Sequence, residues 1–163
     1  MKLFTKKNLL LIAAIFAIVG FIGAFLSPLK ATLPGFMGAT LEESLAIGDI
    51  YFGTEVSKGT ILPFLAFFLL LAGAVVLFIA RKNDNKLFAL IGIALLVVGA
   101  LVPLFTEALY ISANMADVPA EMAETVKASA KEMYSLGFGP ILGAIGGFGG
   151  AAIAAVATFV VKK

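Results

Sequence analysis

Charge is partitioned along this chain. Four apolar runs, Leu9–Leu26, Ile61–Ala80, Leu87–Phe105 and Leu136–Val161, contain no Asp, Glu, Lys, Arg or His, and every charged residue lies outside them. Each run has the ~18 or more apolar residues that a helix needs to cross a hydrocarbon core of ~30 Å. Backbone in that core must satisfy its own hydrogen bonds, which contiguous apolar runs of this length do as helices. The fold class that follows is all-α integral membrane: a four-transmembrane-helix bundle with two outer loops, residues 27–60 and 106–135. Of the 163 residues, 61% are hydrophobic, and no stretch remains for a soluble domain, so 1–163 is a single four-span membrane domain.

Orientation follows from Lys and Arg. Lys2, Lys6 and Lys7, the turn Arg81–Lys86, and the tail Lys162–Lys163 hold eight of the twelve basic residues. In a four-span protein these three segments share one side, so both termini are expected in the cytoplasm, and the plasma membrane is the expected location. The two outer loops then carry Lys30, Lys58, Lys127 and Lys131 against nine acidic residues. An acidic exterior argues against nucleic acid as a partner. The basic N-terminus followed by an apolar run has some signal-peptide character, but the run is longer than a usual signal core and no Ala-x-Ala site follows it. An uncleaved first helix is expected.

The partition also removes chemistry. Ionisable groups inside a membrane mark ion paths, proton relays and active sites, and these runs have none. Cysteine and histidine are absent from the whole chain, which deletes thiol nucleophiles, thiolate or imidazole metal ligands, and the usual general base. No cofactor, metal or catalytic residue is expected.

The outer loops have structure of their own. The first contains Leu33, Phe36, Met37, Leu41, Leu45, Ile50, Tyr51, Phe52 and Val56, too apolar for a solvated linker. Thr40-Leu41-Glu42-Glu43 reads as a capping box opening a short helix that Gly48 closes, with Ile50-Tyr51-Phe52 extended after it. A lid folded back on the bundle is the preferred reading, and a partner surface the other. In the second loop Asp117 is expected to cap a helix, with Pro119 in its first turn. Met122, Val126, Ala130 and Met133 would form its apolar face, and Glu124, Lys127 and Lys131 another.

The fourth run is the richest in motif. Seven of the 17 glycines fall within Gly137–Gly150. At helical spacing they make two ladders, Gly139, Gly143, Gly147, Ala151, Ala155 and Gly146, Gly150, Ala154, Thr158. Small-xxx-small repeats let a second helix approach closely where lipid offers no hydrophobic drive for association. Gly139, Gly143, Gly146, Gly147 and Gly150 are therefore the expected helix-packing residues. Their counterpart is either the stripe Ala13, Ala17, Gly20, Ala24 of the same chain or another membrane protein. A loosened helix exposing carbonyls to a path is a further reading, which polar residues in the spans would have to accompany.

Two resemblances stand beside these readings. Asn114-Met115-Ala116-Asp117 resembles one of the two catalytic-aspartate motifs of lipoprotein signal peptidase, a four-span family of about this size with both ends inside. That resemblance implies a membrane hydrolase using Asp117. Its second aspartate belongs in an Asn-x-x-Asp-Arg context near the end of span three, where this chain reads Pro103-Leu104-Phe105-Thr106-Glu107. The loop plan is similar in topology to the claudin and tetraspan arrangement, without the Trp and paired cysteines of the claudin loop or the tetraspanin cysteines. The expected function is a non-catalytic integral-membrane scaffold or accessory subunit. It would contact membrane lipid and another membrane protein, or itself, through the Gly-rich fourth helix and the outer loops. A small transporter or channel is the alternative, and the hydrolase comes third.

Overall fold

The computed structural model describes residues 5–34 and 40–161. Phe36 and Met37 of the first loop, Lys2, and the Lys162–Lys163 tail lie outside them. Four helical segments are long and apolar enough to cross a membrane: Lys6–Phe25, Ile61–Asn83, Lys86–Asn114 and Phe138–Phe159. The chain is a membrane-embedded helical bundle.

The first segment is α1, Lys6–Ile22, extended by a 3-10 turn, Gly23–Phe25. The Thr5 hydroxyl accepts from Asn8 N–H at its start. The segment after it forms β1, Leu29–Pro34, β2, Thr40–Ser44, and a short helix α2, Ile47–Tyr51. Next, α3, Ile61–Asn83, turns into α4, Lys86–Leu101, through Asp84 in the left-handed region (φ 49°), and the Asn85 side chain caps Leu87 N–H at 2.8 Å. Past α4 come a 3-10 turn, Val102–Phe105, then α5, Thr106–Asn114, α6, Ala120–Met133, β3, Tyr134–Leu136, and α7, Phe138–Phe159.

The long helices form a ring in the order α1, α3, α4, α7, with α7 closing on α1. Sequence neighbours around this ring run antiparallel. One end of the ring gathers the start of α1, the α3–α4 turn and the end of α7: Lys6 pairs with Asp84 at 2.6 Å, Arg81 Nε donates to the Lys7 carbonyl at 3.0 Å, and Lys86 lies over Phe159. The other end carries a cap built from the two long connections. There β1 pairs antiparallel with β2 on one side and β3 on the other, Lys30 standing opposite both Ser44 and Ser135. A row of rings, Phe25, Phe21, Phe68, Phe64 and Tyr51, runs across the α1–α3 seam below that cap, edge to face except for the tilted Phe64–Tyr51 pair, with centroids 5.3–5.5 Å apart.

The bundle packs by size complementarity. Large side chains, chiefly from α3, sit over glycines of neighbouring helices: Leu77 over Gly92, Leu70 over Gly99 and Gly147, and Phe67 over Gly143. Leu96 of α4 returns the favour over Gly73. Phe67, Leu70, Leu77 and Leu96 are fully buried as a result. Close backbones and filled grooves maximise dispersion contact, the attraction available between apolar helices in lipid.

The third span departs from its expected end at residue 105. Pro103 interrupts the helix without ending it, because the 3-10 turn places it where its missing N–H is not needed. Thr106, fully buried, donates its hydroxyl to the Pro103 carbonyl at 2.6 Å, and α5 carries the segment on to Asn114. Its 29 residues rise about 43 Å, so α5 projects beyond a ~30 Å core and forms a wall of the cap.

Four further expectations are corrected. Thr40–Glu43 does not open a helix but lies in β2, where five paired positions on β1 supply more backbone hydrogen bonds than one capped turn. Ile50 and Tyr51 belong to α2, with Phe52 at its end, and are not extended; Ile50 and Tyr51 are buried against the bundle. Span four begins at Phe138, because Tyr134–Leu136 pairs with β1. Asp117 does not cap α6: Pro119 occupies the cap position with no side-chain hydrogen bond, and Asp117 pairs with Lys58.

Candidate functional site

The five glycines singled out for helix packing line two seams inside the bundle. Toward α1, a methyl group added at Gly139 would meet the Gly23 and Leu26 carbonyls, one at Gly146 the Gly20 backbone, and one at Gly150 the Ala13 carbonyl 2.8 Å away. Toward α3 and α4, Gly143 faces the Phe67 ring, and Gly147 faces Ala100, Leu70 and the Leu96 carbonyl. Ala13, Ala17 and Gly20 of α1 are buried in the same seam. The ladder's partners are thus helices of its own chain.

The other feature is a cavity of about 450 Å³ in the cap. Its inner wall is α5 with Tyr110, Ile111 and Asn114, its side is Ile50 and Asp49 of α2, and its roof is Val126 and Ala130 of α6. Tyr110 and Tyr134 meet edge to face within the wall, with centroids 5.6 Å apart. Burial pushes the Tyr134 phenol up, and neighbouring Tyr110 adds to the rise, so Tyr134 stays uncharged near neutral pH. Met122 and Met133, expected on the apolar face of α6, turn away from it and are 58% and 37% exposed. The inward stripe keeps Val126 and Ala130 of the expected face and adds Ala123 in place of the methionines, because the helix rests on α5 and the sheet by small side chains.

A loop, residues 52–60, closes the cavity on one side. Gly53 stands at φ 84°, a left-handed conformation suited to glycine, and its neighbour across the loop is Gly59. The Thr54 hydroxyl accepts from Ser57 N–H at 3.1 Å and Val56 N–H at 3.3 Å, which folds the tip. Asn114 then clasps the loop to α5. Its Oδ1 accepts from Lys58 N–H at 2.7 Å, while its Nδ2 donates to the Lys58 carbonyl at 3.0 Å and the Tyr110 carbonyl at 2.9 Å. Lys58 Nζ reaches Asp117 at 2.7 Å, an ion pair whose side chains are 55% and 80% exposed. A second cavity of about 250 Å³ adjoins the first here, sharing Thr54, Val56, Ser57 and Asn114 and adding Glu55, Lys58 and Asp117.

Asn114 and Asp117, the pair that resembles a catalytic-aspartate motif, therefore both hold Lys58. Glu107, weighed as the second carboxylate, is not among the residues lining either cavity. Among the described residues no group of three or more His, Cys, Asp or Glu is placed to hold a metal ion. Sequence reasoning missed Lys58, Tyr110 and Tyr134 as members of one site. A signal was present: all three tyrosines of the chain lie between the apolar runs. No family model, curated protein or solved structure matches this chain.

Proposed function

We propose that this protein is a non-catalytic integral-membrane scaffold or accessory subunit that binds another membrane protein through its cap. In this reading the cap faces outward, the termini are cytoplasmic and the membrane is the plasma membrane. The observation that carries it is exposed apolar surface on the cap, outside the four spanning segments. Val56 is 95% exposed at the tip of the clasped loop, and Leu41 and Met122 are 62% and 58% exposed on β2 and α6. Apolar side chains of this size on the transmembrane helices meet acyl chains. On the cap, outside those helices, such side chains are the ones a partner surface would cover. The partner surface is assigned to the cap because the glycine ladder of α7 is already filled by α1, α3 and α4.

The transporter alternative needs polar groups presented to a path. The hydroxyls near the span ends that it would use are turned onto nearby carbonyls, Thr158 onto Ala154 at 2.7 Å and Thr106 onto Pro103. The hydrolase reading needs a second carboxylate beside Asp117 committed to a shared proton, whereas Asp117 lies against the Lys58 ammonium.

Photo-crosslinking side chains installed singly at Val56, Met122 and lipid-facing Phe68, irradiated in native membranes, test the proposal. A discrete protein adduct at Val56 and Met122, identified by mass spectrometry and absent at Phe68, is the expected result. Lipid or water adducts alone at both cap positions would overturn it.

A further inference from the structure

We propose that the groove between the start of α1 and the end of α3 binds the phosphate of an anionic phospholipid headgroup. The groove has a volume of about 460 Å³ and is lined by Lys7, Phe78, Arg81 and Lys82. Arg81 stands 20 residues along α3 from Ile61, a rise of about 30 Å, so it marks the far boundary of the hydrocarbon core. Phe78, one turn earlier on the same face and half exposed, lies where an acyl chain begins.

The electrostatics call for an anion. Asp84 is the one carboxylate at this end among the described residues, and it is engaged by Lys6 at 2.6 Å. Lys7, Arg81 and Lys82 share one groove, and among the described residues none of them has a carboxylate within ion-pair distance. Like charges held together at the edge of a low-dielectric core repel one another, and an anion seated between them reverses the sign of that interaction. Arg81 is also oriented. Its Nε donates to the Lys7 carbonyl across the α1–α3 seam, and its guanidinium lies 5.9 Å from the Phe78 ring centre. With Nε committed, the two terminal nitrogens of the planar fork are the donors that can take two phosphate oxygens together, and Lys7 and Lys82 share the groove as point charges. Cations that only set topology need neither a shared groove nor an arginine fixed by a neighbouring helix. The inference is independent of the partner proposed for the cap.

The test uses the full chain, delipidated in mild detergent and titrated by native mass spectrometry. The probes are phosphatidylglycerol, phosphatidylcholine with the same acyl chains, and glycerol phosphate. Saturable binding of one phosphatidylglycerol, preferred over phosphatidylcholine and not displaced by glycerol phosphate, is expected. Lys82→Gln, which breaks no hydrogen bond of the bundle, should weaken it about fivefold, and Arg81→Gln with Lys82→Gln about 25-fold, from the usual gain per basic residue at an anionic surface. Lys127→Gln with Lys131→Gln, the same charge change on the cap, should leave it unaltered. Equal affinity for phosphatidylcholine, displacement by glycerol phosphate, or undiminished binding in Lys82→Gln and the double variant would each overturn the assignment.

Discussion

Tyr51 shows what a single atom can cost in this cap. Its side chain is 1% exposed, and its hydroxyl has no hydrogen-bond partner among the described residues. Burial pushes its pKa well above the ordinary tyrosine value, and the Thr106 hydroxyl, a nearby group short of full hydrogen-bond geometry with the phenol, offsets part of that rise. A buried phenol without a partner forfeits about 1–3 kcal/mol of hydration. Tyr51→Phe keeps the ring against Phe64 and removes that penalty, so the variant should be as stable as the parent, or more stable by up to about 1 kcal/mol. The pH dependence has a definite sign. The unfolded phenol ionises near pH 10, while the folded one resists, so stability present below about pH 10 declines as pH rises further. Thermal unfolding in detergent from pH 8 to 11 should show a steeper alkaline decline in the parent than in Tyr51→Phe. Equal slopes would mean that the folded phenol ionises as readily as the unfolded one, and a large loss in the variant at neutral pH would mean that the hydroxyl is satisfied. Asn114 illustrates a different limit. Its spacing to Asp117 was visible in the sequence, yet a carboxamide and a carboxylate three residues apart serve a clasp as well as a catalyst. Only the position of Lys58, 56 residues away from Asn114, decides between them.

At the scale of elements, α7 and β2 mark what sequence could and could not tell. The glycine period was legible because close packing demands small residues at i and i+4. Its partner was not, since apolar helices offer no charge to identify a neighbour. β2 was misread for a local reason: Thr40 and Glu43 satisfy a helix start by themselves, whereas the competing strand depends on β1, and the sheet is completed by β3 about a hundred residues later. Non-local pairing of short strands leaves little local trace. The α7 packing makes a graded prediction. Gly143→Leu and Gly147→Leu place side chains where an added methyl alone lies 2.5 Å from the Phe67 ring and from Ala100. Overpacking of this kind costs about 1–3 kcal/mol or more, so both variants should lower the unfolding temperature of the purified monomer. Ala152→Leu, on the exposed face, should not. Unchanged monomer stability in both glycine variants would place the ladder against lipid or a partner, and would return α7 to the candidate interfaces.

The whole molecule is polar along its axis, with a basic end held by Lys6–Asp84 and Arg81–Lys7 and an acidic cap at the other. Charge bias and fold agree on which segments share an end: the start of α1 and the α3–α4 turn touch each other, while residues 26–60 and 106–137 meet in the sheet and the Lys58 clasp. The proposed orientation, basic end in the cytoplasm, rests on the bias of eight basic residues to four, because lysine and arginine are retained on the inner side during insertion. The chain has no cysteine, so single introduced thiols report cleanly. Asn83→Cys in the α3–α4 turn and Ser129→Cys on the exposed face of α6 are both accessible positions. In intact cells an impermeant thiol reagent should label Ser129→Cys and spare Asn83→Cys until the membrane is opened. Labelling of Asn83→Cys from outside would invert the molecule. The basic groove would then face the exterior leaflet, and the cap with its exposed Val56 and Met122 would look for its partner in the cytoplasm.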